Sequence, residues 1–167
     1  MEARPFPLLA HSPEPPMKRS CLELIASCPD VVLTTIGADG FPQARVMFNL
    51  RGPRYPELQE YLRPLDGTFR YYLDTNTSSS KVRDVRSRPR ASLLFCRPEI
   101  YFSLMLAGEL AVEDDPVLRR ALWRPGWETY YPAGPEDPDY TVLRFESHYA
   151  RGWNGSVIYS FELRGER

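Results

Sequence analysis

The stretch Asp74–Val85, DTNTSSSKVRDV, sets a run of hydroxyl side chains ahead of one lysine and a short helical pattern. Of the chain's 21 basic residues only Lys18 and Lys81 are lysine, so Lys81 stands out where arginine is the rule. A helix start offers unpaired N–H groups and a positive dipole. Hydroxyls and a full charge added there make a place for an anion, phosphate above all. A plainer reading stands beside this one: Ser78, Ser79 or Ser80 caps the helix and Lys81 is solvated. Such caps are common enough that the local sequence alone favours it. A second feature lies upstream in QARVMFN, where alternation turns Arg45 and Met47 to one side and Val46 and Phe48 to the other. Arg45 in this apolar strand either faces water or supplies the forked donor that grips a phosphate with two bonds. Neither feature is specific alone.

The elements that position these residues are mostly strands. Residues 1–16 carry five prolines and read as an extended arm ahead of a single domain over 17–167. MKRSCLELIASC (17–28) has helical spacing at Met17, Cys21, Leu24, Ile25 and Cys28, stopped by Pro29. β-Patterned runs follow at 31–37 and 42–51, joined by the ADG turn, and again at 69–75. Residues 53–68 read as a loop with at most one helical turn. Residues 78–89 are helical up to Pro89, and strands are expected at 90–98 and 100–115. Gly108 inside the longer of these suggests a bulge or bend. A brief helix at 115–123, capped by Asp115, leads through a Pro/Gly-rich aromatic loop to strands at 140–155 and 156–163. Strands that adjoin in sequence and short connecting helices fit a mainly β, meandering antiparallel barrel of six to seven strands.

Composition narrows the function classes. A net charge of −1 lacks the broad basic surface of non-specific nucleic-acid binding, so no nucleic-acid partner is expected. No apolar run approaches the ~20 residues of a membrane span, and no membrane association is expected. The N-terminal stretch has neither the charged region nor the apolar core of a secretory signal. Three cysteines, Cys21, Cys28 and Cys96, form no C-x-x-C pair, which favours free thiols, core packing for the first two, and a cytoplasmic address. No metal site, Walker loop or G-x-G-x-x-G is visible.

Taken in order, the motifs TTIGADGFPQARVMF, then YYLDTNTSSSKVRDVRSRPRASLLF, then LAGELAV, resemble the FMN-binding split β-barrel of the pyridoxamine 5′-phosphate oxidase-like superfamily. The resemblance covers about residues 20–155. Its most specific element is Thr75-x3-Ser79-x-Lys81 placed after the Arg45 strand. YARGWNG resembles the closing tryptophan motif of the general stress protein branch. The resemblance implies that Arg45 and Lys81 hold the FMN phosphate and that Ser79 and Ser80 add hydroxyl or amide donors. Val46 and Met47 would present backbone to the ring edge, and Thr75 would bond near the ring or ribityl chain. It also implies a homodimer with the cofactor between subunits, where Trp153 of one chain could wall the flavin of the other. Trp123 and Trp127 are weaker candidates for that wall.

Departures matter as well. WNGSVIYSFELRGER does not resemble the arginine-rich end with which the oxidase grips its substrate, so vitamin B6 synthesis is not expected. Ser103 stands where the oxidase has a flavin-contacting glutamine, and the 51–64 insertion is long enough to reshape the pocket mouth. No catalytic acid, base or nucleophile is evident, and Asp137 and Asp139 read as turn residues. In a flavoprotein the cofactor carries the redox chemistry. The expected function is therefore an FMN-dependent oxidoreductase acting on an unidentified small substrate. The alternatives are a non-catalytic flavin- or haem-binding sensor, with His148 the lone candidate haem ligand, and a deazaflavin (F420) reductase.

Overall fold

The computed structural model describes residues 14–163. Of the expected extended arm, residues 1–13 lie outside the described residues. Residues 14–16 already belong to the first helix, α1 (Glu14–Ser27). It starts earlier than expected because Pro15 and Pro16 fall in its first turn, where a missing N–H breaks no intrahelical bond. Then come β1 (Asp30–Ile36), β2 (Pro42–Phe48), α2 (Gln59–Leu62), β3 (Tyr71–Asn76) and α3 (Ser80–Ser87). The chain continues with β4 (Arg90–Arg97), β5 (Phe102–Glu113), α4 (Pro116–Leu122), β6 (Tyr140–Asn154) and β7 (Val157–Glu162).

The seven strands form one antiparallel sheet in the order β2-β1-β4-β5-β6-β3, with β7 beside β6. The sheet curls into a split β-barrel whose edge strands are β2 on one side and β3 and β7 on the other. Its bend is built at β6. The first part of β6 pairs with β3 as far as Phe145, the last part pairs with β7 from Tyr149, and His148 is the extra residue between. The matching position on β5 is Gly108, where a Cβ would lie 2.0 Å from the Glu146 carbonyl oxygen. Only glycine allows that approach, which is the bulge its place in the strand suggested.

Two apolar clusters hold the barrel. Cys21, Leu24, Ile25 and Cys28 on one face of α1 plug the interior against Leu33, Leu93, Phe95 and Phe145. Burial pushes the Cys21 thiol up to about 11, so it behaves as a small hydrophobe. A second cluster lies on the opposite face of β6, where Tyr140 and Val142 meet Leu58, Leu62, Leu122 and Trp127 from the short helices and turns that cover it. The 53–68 segment contributes more structure than expected. It forms consecutive helical turns from Pro56 to Leu65, since Pro56 and Pro64 sit at helix-starting positions that tolerate proline.

Two strands are shorter than their patterns. β2 ends at Phe48 because Asn49 turns inward, its amide donating to the Ile25 and Cys28 carbonyls at 2.7 Å and closing the end of α1. β3 begins at Tyr71 because the buried Arg51 guanidinium takes the Thr68 and Arg70 carbonyls at 3.0 and 3.1 Å. Among the described residues, no helix is long and apolar enough to cross a membrane.

Candidate functional site

The split between β2 and β3 gathers the basic residues. Arg45 on β2 donates from Nη1 to the Thr35 hydroxyl at 2.6 Å and to the Gln43 carbonyl at 2.9 Å. Thr35, fully buried on β1, in turn donates a hydrogen bond to Asp84 Oδ2 on α3 at 2.8 Å. Arg45 Nη2 stands 3.7 Å from the same carboxylate oxygen. One acid thus fixes an arginine and a threonine from two strands, and the fork of Arg45 is held against α3. Burial pushes the Arg45 guanidinium down, against the attraction of Asp84.

Lys81 lies one turn before Asp84 on that helix. Its Nζ donates to Thr75 Oγ1, at the end of β3, at 2.7 Å. Burial lowers the Lys81 ammonium, the like charge of Arg45 lowers it further, and Asp74 opposes both. Two cations facing each other in partial burial are a costly arrangement that an anion between them would relieve. The helix start supplies more donors. Ser79 is the N-cap residue, yet its side chain makes no capping bond, so the simple cap reading fails for it. Among the described residues nothing hydrogen-bonds the buried Ser79 Oγ. The backbone amides of Ser80 and Lys81 likewise find no backbone acceptor among those residues. An orphan hydroxyl, open amides and two cations fit a phosphate monoester.

The turn before the helix is pinned from a distance. Asp139 accepts from Asn76 Nδ2 at 2.8 Å and from the Ser78 amide at 2.7 Å, and its own carbonyl takes the Thr77 amide at 2.7 Å. The Asn76 bond, then the Ser78 bonds, hold the Asp139 carboxyl below its ordinary range.

A cavity of about 310 Å³ opens beside this cradle. β2 lends it Val46, Met47 and Phe48, β3 lends Asp74, Thr75 and Asn76, and Lys81 reaches in from α3. The loop after α4 closes the far side with Trp127, Tyr130 and Tyr131. Trp127 is locked by edge-on contacts to Tyr55 and Trp123, with ring centroids 6.0 and 5.9 Å apart. Such contacts fix ring orientation. Burial pushes the Asp74 carboxyl up to about 6, against its own backbone amide and Lys81.

Of the residues singled out in the sequence, Arg45, Thr75, Ser79 and Lys81 converge, and Val46 and Met47 flank the cavity. Ser80 adds its amide at the helix start. Trp153 stands apart. It is half exposed on the outer face of β6, four strands from β2, roughly 19 Å across the sheet at the usual strand spacing. Trp127, rather than Trp123, reaches the cavity, and Trp123 packs behind it. Sequence reasoning missed Thr35, Asp84, Asp74 and the role of Asp139. Asp84 carried one available signal, as the only acid in a basic helix and one turn after Lys81.

Comparison with known proteins points to one family. A family model described as pyridoxamine 5′-phosphate oxidase matches residues 17–154. Among curated proteins, none matches the chain. A solved Clostridium acetobutylicum protein related to general stress protein 26, of the pyridoxinephosphate oxidase family, is 28% identical with a TM-score of 0.72. The match covers 89% of this chain and 95% of that one. The general stress FMN/FAD binding protein of Xanthomonas citri is 20% identical, with a TM-score of 0.64 over 84% of this chain and 89% of its own. General stress protein 26 of Bacillus anthracis is also 20% identical, with a TM-score of 0.61 over 80% and 91%. At 20% identity the last two speak to the fold.

Proposed function

The chain belongs to the pyridoxamine 5′-phosphate oxidase family, and from that premise we propose that it binds FMN and works as a flavin-dependent oxidoreductase on a small molecule. The observation that carries the reading is the convergence of Arg45, Lys81, the orphan Ser79 Oγ and the open helix amides at the split of the barrel. Arg45 and Lys81 would hold the phosphate, with Ser79 and Ser80 completing its donors. Thr75 would orient the chain between phosphate and ring, and Val46 and Met47 would border the ring edge. When bound, the flavin supplies two-electron redox chemistry.

A second subunit completes the reading. Val46, Leu94, Tyr149, Trp153 and Ile158 are all exposed on strands of this sheet. Val46, Val32, Leu94, Met105 and Arg151 are neighbours across five strands, and Trp153 follows Arg151 on the same face. A largely apolar exposed face of this kind, with Arg151 within it, marks an association surface. A homodimer through it would bring the partner's Trp153 towards the cavity that this chain's own Trp153 cannot reach.

The test is the absorption spectrum of the purified protein, with cofactor release and sedimentation. A flavin spectrum, one FMN per chain and a dimer support the reading. A haem or deazaflavin spectrum, or a monomer that holds FMN fully, contradicts it.

A further inference from the structure

The cavity beside the phosphate cradle has an acidic wall among aromatic faces. Asp74 lies opposite Val142 in the β3–β6 pairing and lines the cavity together with Phe48, Trp127, Tyr130 and Tyr131. Lys81 attracts it but forms no ion pair with it among the described residues, and the Lys81 ammonium hydrogen-bonds Thr75 instead. Burial, and then the Asp74 charge, push up the phenols of Tyr131 and Tyr140, and the same two causes act on Tyr55. The carboxylate therefore sits within a ring of aromatic side chains.

We propose that this part of the cavity receives the organic cation of a substrate, an ammonium or alkylammonium group, held by the Asp74 carboxylate and the faces of Trp127, Tyr130 and Tyr131. The inference rests on the flavin reading and names the substrate class for that site. Three arguments converge. Aromatic faces carry negative quadrupoles and attract cations, most strongly where water is excluded. A carboxylate beside them adds a charge-assisted bond. With a phosphate on Arg45 and Lys81, the charge that offsets Asp74 is engaged elsewhere, and the cavity is left acidic. A neutral occupant would leave a partly buried carboxylate unpaired, and an anionic one would be repelled by both Asp74 and the phosphate.

A structural role accounts less well for Asp74. Among the described residues no side-chain donor hydrogen-bonds its carboxylate, in contrast to Asp84 and Asp139, which each hold two elements together. The adjacent Asp30 is answered by Arg54 at 3.1 Å, so it does not duplicate the charge.

The experiment uses benzyltrimethylammonium as the cation and benzoate as the anionic counterpart. Each is titrated into FMN-loaded protein, followed by flavin absorbance, and into flavin-free protein, followed by tryptophan emission. The expected result is saturable binding of the cation and no competition from benzoate. Asp74→Asn should weaken the cation about tenfold or more, and Tyr130→Ala, on a 65% exposed ring, severalfold, with FMN stoichiometry unchanged in both. Equal cation affinity in Asp74→Asn, or benzoate binding as tightly as the cation, overturns the proposal. If the wild type fails to hold FMN, the flavin reading fails on its own. The tryptophan titration of the flavin-free protein then still decides whether Asp74 selects a cation. Should Asp74→Asn not fold, the comparison of benzyltrimethylammonium with benzoate, in wild type and Tyr130→Ala, decides the matter.

Discussion

Arg45 Nη2 on β2 lies 3.7 Å from Asp84 Oδ2 on α3, and the buried Thr35 hydroxyl bonds to both side chains. The strand that carries the arginine is thereby registered against the helix that carries Lys81. Asp84→Ala should strand the Thr35 hydroxyl and release Arg45. Leaving a buried donor unmade costs about 1–3 kcal/mol, which urea denaturation should read as a lower midpoint. Flavin affinity should fall about tenfold although Asp84 touches no phosphate, because the arginine loses its orientation. An unchanged flavin Kd in a destabilised protein would separate stability from positioning and reject the second role.

The two cations are expected to act on the phosphate as separable donors. Arg45→Ala and Lys81→Ala should each weaken FMN by about 1.5–3 kcal/mol, roughly ten- to 150-fold in Kd. Arg45→Lys should recover only part of the loss, since a point charge does not replace a planar fork. Fluorescence-quenching titrations of each variant measure this directly.

Asp74 and Asp139 should give opposite acid responses. The Asp74 carboxyl is raised from 3.8 to about 6, so the folded state binds its proton more readily than the unfolded chain does. Its contribution to stability is present at low pH and is lost as pH rises through about 6. The groups around it are Lys81 from α3, Tyr55 from the segment after β2, Tyr131 from the aromatic loop and Tyr140 from β6. Asp30 lines the same cavity. Lysine and tyrosine keep their charge state across that window. Asp74→Asn should raise the melting temperature at pH 7.5 relative to wild type and narrow the difference at pH 4.5. Asp139 is lowered, so its hold on the turn is present above the ordinary carboxyl range and is lost as pH falls through its folded value. The Ser78 amide resonance, followed by NMR in an acid titration, should move with it.

Gly108 should tolerate no side chain. A Cβ placed 2.0 Å from a backbone oxygen forces β5 and β6 apart at the bend. Gly108→Ala should cost about 1–3 kcal/mol or more, read as a lowered denaturation midpoint or loss of soluble protein.

What the sequence revealed follows the range of the interactions involved. Strand alternation around Arg45, the hydroxyl-rich start of α3 and the glycine bend are local patterns, and each was readable where it stands. The Thr75, Ser79 and Lys81 spacing was readable because one strand end and one helix start hold all three. Asp84 and Thr35 are 49 residues apart, and Asp139 lies 63 residues from Asn76, so no window of sequence joins them. Of the aromatic wall, Trp127 was a weaker candidate, and Tyr130 and Tyr131 were missed for the same reason. Trp127 and Tyr131 come from a proline-rich loop, and of the rings that fix Trp127, Trp123 ends the preceding helix while Tyr55 comes from the 53–68 segment, which read as a loop. Strand ends at Phe48 and Tyr71 were misplaced because bonds between distant residues set them, from Asn49 to the Ile25 and Cys28 carbonyls and from Arg51 to the Thr68 and Arg70 carbonyls.

The central claim is that Arg45 and Lys81 clamp a flavin phosphate at the split of the barrel. It is tested most directly by titrating flavin-free wild type and the Arg45→Ala/Lys81→Ala double variant with FMN, following fluorescence quenching. The account predicts saturable binding of one FMN per chain in the wild type, and no retained flavin in a double variant that sediments and melts as a folded protein. A double variant that binds FMN as tightly as the wild type would contradict it.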